Sequence, residues 1–437
     1  MSDLEFMFER FDEIHPNLYA NADKNRMSEK IKIVVDSMSS GTRMDFWKNV
    51  APLASDLNDG HTSLLFPSEE RKQYFIEGGK LFPFEVYTRK GKLFIQRYFG
   101  ENLKFHPGSE IISINKIPAK DIISKMKDYL SAERESFKEQ LVSYNFHSFF
   151  WALFKSSGTF LIKYISAYDN EQYSAVVTGL NQFEFEFSKR NSLKETAVNL
   201  FGLEIFPEYN SALLKIGMFS YNNFFEAFVD SSMNEINKNN CEYLILDIRQ
   251  NRGGNSNLGD KLITYFYDQP FSQFEKIEIK LSDTVKSMNW FDNNLISGKP
   301  EAKRLVFELP DIKFEKPDNF FEGEVFLLTS PFTFSSANAF ASAFKCYEMG
   351  TIIGEETGGL TVSYSDLLTF KLPKTKLTAG VSHKRMFEAC GNDNGRGVIP
   401  HHYVTPNFAA PDVDTVLNYT LDLIASKRAK SYSLNKN

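Results

Sequence analysis

The stretch Glu324–Gly350 constrains the fold more than any other part of the chain. Glu324-Val325-Phe326-Leu327-Leu328-Thr329 is a short apolar run of the kind that forms a buried strand. After it, Ala337, Phe340, Ala341, Phe344 and Tyr347 recur at helical spacing until Gly350 stops the run. The polar segment between, Thr333-Phe334-Ser335-Ser336, therefore occupies a strand-to-helix corner. A helix start offers free N–H groups and positive dipole character, so it can stabilise a nearby oxyanion. Hydrolases present a nucleophilic serine at such a corner, although Ser and Thr are also ordinary helix caps.

A second apolar run, Tyr243-Leu244-Ile245-Leu246-Asp247, is continuous, as buried parallel strands are. It leads into Ile248-Arg249-Gln250-Asn251-Arg252-Gly253-Gly254. Strands and helices alternate from about residue 210 to 408, which predicts an α/β layer architecture. A closing helix is expected over 412–427, with a solvated tail beyond it. Before this block the texture differs. Residues 1–72 read as mainly helical, with breaks at His15-Pro16 and at the turn Asn58-Asp59-Gly60-His61-Thr62. Residues 73–185 form an α+β unit: strands near 82–87 and 92–95 flank Lys90-Gly91, and Pro107–Asn115 precedes an amphipathic helix over 119–130. A helix is expected over about 134–160, and an irregular charged crossing over 181–205. The domain expectation is thus 1–72, 73–185 and 200–430.

The 437 residues suit two or three domains, and a net charge of −6 without a basic run excludes an extended nucleic-acid surface. Forty-two phenylalanines supply large cores or apolar grooves. No apolar run approaches the roughly 20 residues that span a bilayer. The opening residues Met1–Glu5 carry no secretory pattern, so either the protein stays in the cytoplasm or an export signal lies outside this sequence. Cys241, Cys346 and Cys390 are too few for a disulfide framework. Cys346 and Cys390, in apolar or glycine-rich surroundings, read as buried free thiols.

Three segments in this order resemble the tail-specific, or carboxyl-terminal processing, proteases and their relatives around the tricorn core. They are Asp247-Ile248-Arg249-x-Asn251-x-Gly253-Gly254, Thr333–Asn338, and Gly354-Glu355-Glu356-Thr357-Gly358-Gly359, with Gly397-Val398-Ile399-Pro400 closing the domain. Residues 107–130 resemble the core of a PDZ domain, which binds peptides by strand addition. The resemblance implies a crotonase-like spiral of β-β-α units in the last domain. It also implies peptide-bond hydrolysis through an acyl-enzyme, with no cofactor or metal and a peptide or protein as partner. Relatives are often exported, which favours an extracytoplasmic location.

The resemblance places the nucleophile on Ser335, three residues before a position usually held by Glu and here held by Asn338. The oxyanion hole falls on the N–H of Ser336 with Gly253 or Gly254, since a close backbone approach leaves no room for a Cβ. The Ser/Lys branch has a lysine where this chain has Leu360, so a Ser–Lys dyad is not expected. The tricorn-like branch takes a histidine from a turn like Asp59-Gly60-His61-Thr62, which makes His61 the expected base. Asp393 is the expected acidic orienter, with Glu388 behind it and His383 as a rival base. The other reading, fed by Leu360 and Asn338, is a binding protein on the same scaffold that holds a peptide or hydrophobic ligand. Residues 254–261 lack a P-loop Gly-Lys, Ser124/Lys127 lie on the amphipathic helix, and His401-His402 have no companion ligands.

Overall fold

The computed structural model describes residues 2–38, 41–100, 105–154, 157–186, 200–288, 303–408, 410 and 413–434. The chain forms a mixed α/β structure with three sheets.

Helices α1 (Asp3–Ile14), α2 (Lys24–Ser37) and α3 (Arg43–Ser55) open the chain. Capping boxes start two of them: Ser2 with Glu5 on α1, and Thr42 with Asp45 on α3. Their apolar faces put Phe11, Trp47 and Val50 into a core shared with the first and third sheets. Strand β1 is only Ser63–Leu64, and helix α4 spans Ser68–Ile76.

The first sheet has the order β2-β3-β4-β6-β7, antiparallel throughout. Its strands are β2 (Phe84–Arg89), β3 (Lys92–Tyr98), β4 (Glu110–Ile114), β6 (Thr159–Ile165) and β7 (Gln172–Thr178), with β5 (Ile117–Pro118) added to β4. Helices α5 (Ala119–Lys127) and α6 (Glu135–Leu153) pack against it, burying Ile122, Met126, Phe146 and Phe150. Of the crossing expected over 181–205, residues 182–186 are helical (α7) and Phe201–Phe206 is strand β8. Residues 187–199 lie outside the described residues.

The second sheet runs β17-β14-β13-β10-β9-β8. Strands β9 (Ser211–Ile216), β10 (Tyr243–Asp247), β13 (Glu324–Thr329), β14 (Thr351–Gly354) and β17 (His402–Tyr403) are parallel, and β8 is antiparallel to β9. The apolar runs read from the sequence are its two central strands, paired Tyr243 to Glu324 through Asp247 to Leu328. Helices α8 (Asn222–Lys238), α9 (Ser256–Ile263) and α11 (Ser336–Cys346) cover one face, and α12 (Thr415–Leu434) covers the other through Val416, Leu421 and Ile424. Helix α12 continues past residue 427 through Leu434, where a solvated tail was expected.

The third sheet contains β11 (Phe274–Lys280), β12 (Arg304–Glu308), β15 (Val362–Lys371) and β16 (Thr378–Glu388), with the short helix α10 (Asp283–Lys286) between β11 and β12. Strand β1 also joins it, pairing Ser63 with Gly380 and Leu64 with Ala379. This pairing stitches the N-terminal segment to the last third of the chain.

The cysteine expectation is corrected by the structure. Cys346 and Cys390 form a disulfide with 5.5 Å between Cα atoms. The end of α11 and the turn after β16 meet because both flank the same core, a proximity that a separation of 44 residues does not reveal. Cys241 is the free cysteine.

Candidate active site

Ser335 stands where β13 hands over to α11, as the N-cap residue at φ 53° and ψ −128°. A non-glycine residue in this region carries strain of about 1–3 kcal/mol, and the contacts around it must hold it there. They do. The Phe334 N–H donates to the Asn251 carbonyl at 3.1 Å, and the Thr333 hydroxyl donates to the Ile248 carbonyl at 3.1 Å. Asn251, fully buried, also donates from its side chain to the Ile216 carbonyl. Arg249 lies beneath, with bidentate contacts to both Asp247 and Asp414. The segment that follows β10 is thus a rigid platform under the serine.

Gly253 touches this corner directly. A Cβ at Gly253 would sit 2.8 Å from both Ser335 Cβ and the Ser336 nitrogen, and its φ of +99° also suits glycine. Its own N–H donates to Asn251 Oδ1 at 2.8 Å. The Gly254 carbonyl accepts the Ser336 hydroxyl at 2.6 Å.

His61 arrives from the other end of the chain. Its Nε2 lies 3.1 Å from Ser335 Oγ, and its Nδ1 lies 3.2 Å from the Tyr364 carbonyl. A carbonyl only accepts, so Nδ1 carries the proton and Nε2 presents a lone pair to the serine. The ring stacks on Phe334 at 4.8 Å between centroids, and Phe334 stacks in turn on Phe137 of α6 at 4.2 Å.

Asp59 holds the turn that presents His61. Its Oδ1 accepts the His61 backbone N–H at 3.0 Å, an Asx turn. Its Oδ2 accepts the hydroxyls of Thr62 and Ser382 at 2.5 and 2.7 Å, and His15 Nε2 at 3.0 Å. Ser131 bridges both the N–H and the carbonyl of Asp59. Burial alone would raise the Asp59 carboxyl, yet His15 and these donors hold it below its ordinary value. Burial pushes His61 below the ordinary imidazole range, against the opposing pull of the Asp59 and Asp366 carboxylates.

The Gly354–Gly359 motif braces the corner from a third side. The Gly358 N–H donates to the Thr333 carbonyl at 2.9 Å. Thr357 donates its hydroxyl to Asn338, whose amide donates to the Leu360 carbonyl and, at 2.7 Å, to Glu388 Oε2. Burial raises Glu388 to about 8 despite its bonds from Asn338 and Ser342. Burial would also raise Glu356, but the Arg396 and Arg134 guanidinium groups hold it at about 2. Arg89 pairs with the neighbouring Glu355.

The structure brings together five of the six residues expected at the site: Ser335, Ser336, Gly253, Gly254 and His61. It does not bring Asp393 to the histidine. That side chain is 63% exposed and pairs with Arg385 at 2.5 Å, while the Tyr364 carbonyl stands at His61 Nδ1. Glu388 is bonded to Asn338, and His383 Nδ1 faces the Asp366 carbonyl. Among the described residues no cluster of three metal-ligating side chains occurs. Sequence reasoning missed the parts played by Asp59, Phe334 and Tyr364. Only Asp59 had a signal, an Asp two residues before the residue it positions.

Residues 214–404 match the profile of peptidase family S41. Over these residues the sequence is similar to that family, and the chain is a serine peptidase. The peptidase shares its fold with solved structures that cover nearly all of it. Mature CPAF complexed with lactacystin is 13% identical with a TM-score of 0.71, covering 100% of this chain and 99% of that one. Mature CPAF in another crystal structure is 14% identical with a TM-score of 0.68, covering 96% and 95%. A candidate peptidase from Parabacteroides merdae is 12% identical with a TM-score of 0.50, covering 97% and 96%. No curated protein matches the sequence significantly. Among the described residues of the peptidase, no helix is long and apolar enough to cross a membrane.

Proposed function

We propose that this serine peptidase cleaves peptide bonds with Ser335 as nucleophile and His61 as general base. The observation that carries the assignment is the 3.1 Å approach of His61 Nε2 to Ser335 Oγ, with Nδ1 already occupied by the Tyr364 carbonyl. Nε2 accepts the hydroxyl proton as Oγ attacks the scissile carbonyl, and the resulting imidazolium returns that proton to the leaving amine. The acyl-enzyme is then hydrolysed by water activated through the same nitrogen. The fixed carbonyl dipole of Tyr364, with the Asp59 and Asp366 charges nearby, stabilises the imidazolium in place of a directly bonded carboxylate.

The oxyanion hole is formed by the N–H groups of Ser336 and Gly254. Gly253 spends its N–H on Asn251. The bridge to Phe219 uses the Gly253 carbonyl and the Asn255 N–H, so it does not consume the Gly254 N–H, and the Gly254 carbonyl faces Ser336. Gly253 contributes by its lack of a Cβ. The second sheet and its helices are the crotonase-like spiral of this reading. The first sheet with α5 is the PDZ-like module that recruits a peptide or protein substrate, and the histidine-bearing N-terminal turn supports the tricorn-like reading. A fluorophosphonate probe tests the roles. Wild-type protein labels and Ser335→Ala does not; equal labelling of both, or no labelling of wild type, overturns the assignment.

A further inference from the structure

The residue before the oxyanion glycines has no part in the chemistry above. Arg252 is exposed, and its guanidinium carbon lies 4.0 Å from the centre of the Tyr144 ring and 5.3 Å from that of Phe332. Tyr144 projects from α6 and is 56% exposed, whereas Phe332 is buried in the turn that leads to Ser335. The two rings lie 5.8 Å apart.

These ring contacts hold the guanidinium in place, and its fork of N–H donors matches a carboxylate bidentately. Among the described residues no carboxylate pairs with Arg252, whereas Arg89, Arg134, Arg249, Arg385 and Arg396 each have one. The cation is held in place without a protein counter-charge. Its Cα is one residue, about 3.8 Å, from Gly253, which packs on Ser335. An extended substrate advances about 3.3 Å per residue, so the guanidinium reaches substrate positions within about three residues of the scissile bond.

We infer that Arg252, seated against Tyr144 and Phe332, is a specificity-determining residue that receives a substrate carboxylate near the scissile bond. The carboxylate comes from a Glu or Asp side chain or from the free C-terminus of a short leaving segment. This inference rests on the peptidase reading of Ser335 and His61.

The test uses the full chain and paired fluorogenic peptides that differ only by Glu or Gln at each of three positions on either side of the cleaved bond. A second pair differs only in a free or amidated C-terminus. The wild type favours one carboxylate-bearing peptide by roughly tenfold in kcat/KM, the order expected of one charge-assisted bidentate contact. Added salt reduces that preference. In Arg252→Gln the ratio falls to near one, and Arg252→Lys gives an intermediate ratio because charge remains and the fork is lost. Which pair responds tells side chain from terminus. A wild type that cuts the peptides with no carboxylate preference, or a preference that Arg252→Gln retains, overturns this inference alone. A wild type that cuts none of them and does not label with fluorophosphonate overturns the peptidase reading, and this inference with it.

Discussion

Substituting Asp59 by Asn separates the support of His61 from its chemistry. The carboxylate gathers three donors on Oδ2 and one, the His61 N–H, on Oδ1. His15 contributes as a donor because its Nδ1 accepts the Asn17 N–H, which leaves the proton on Nε2. An amide has one acceptor oxygen. It will keep that oxygen where three donors converge and turn its NH2 group toward the His61 N–H. Two donors then face each other in a buried site, which costs about 1–3 kcal/mol. Each of the three remaining bonds also loses its charge assistance, at roughly 1 kcal/mol apiece. Folding stability should therefore fall by roughly 4–6 kcal/mol, and the gap to wild type should close as pH drops below the ordinary carboxyl value of 3.8, where the buried carboxylate protonates too.

Only the fault at the His61 N–H reaches the catalytic geometry. At 1.36 kcal/mol per factor of ten, kcat/KM should fall by about tenfold to a hundredfold. The pH profile carries the sharper signature. His61 must be neutral to accept a proton, and burial already sets its acid limb below pH 6.5 against the pull of Asp59. Removing that carboxylate lets the limb slide further down, so Asp59→Asn loses rate yet keeps its plateau to a lower pH. The assay is kcat/KM on a fluorogenic peptide from pH 4.5 to 8, with thermal unfolding in the same buffers. A variant within twofold of wild type, with an unmoved acid limb, would refute the support assigned to Asp59.

Asp393→Asn should leave kcat/KM within about twofold, since its carboxylate is spent on Arg385 at an exposed position; a hundredfold loss would return the orienting role to it. Glu388→Gln should stabilise the fold in a pH-dependent way. The carboxyl titrates near 8 when folded and near 4.5 when unfolded, so the native state holds the proton between these values and stability is lost as pH rises. The variant's advantage should be absent below pH 4.5, grow by about 1.4 kcal/mol per unit and reach roughly 3 kcal/mol at pH 7. Thermal unfolding from pH 4 to 8 measures it, and a constant offset across that range contradicts the buried-carboxyl account.

What could be read from the sequence divides along a physical line. The platform was legible because buried parallel strands are continuously apolar, as Tyr243–Asp247 and Glu324–Thr329 are, and because glycines at a close approach cannot be replaced. The pairing of β1 with β16 was not legible: two residues carry no periodicity, yet they deliver His61 to Ser335 across 274 positions. The disulfide was hidden for the same reason, since Cys346 and Cys390 approach only through the packing of α11 against the end of β16.

The orienting group shows the limit most clearly. A search for a triad looks for a side chain with negative charge, and Asp393 was the nearest acid in sequence to the closing Gly397-Val398. The group at Nδ1 is a backbone carbonyl, which every residue has, so residue identity at position 364 says nothing about it. A carbonyl still meets the two requirements of the position. It accepts a hydrogen bond, which fixes the tautomer, and β15 holds it rigidly through its pairing with β16. The negative charge that would balance the imidazolium is supplied one step removed, by Asp59 on the histidine's own turn and by Asp366 two residues after Tyr364. In the proposed mechanism, orientation and charge compensation, combined in one carboxylate in the usual triad, are divided between a backbone dipole and two flanking acids.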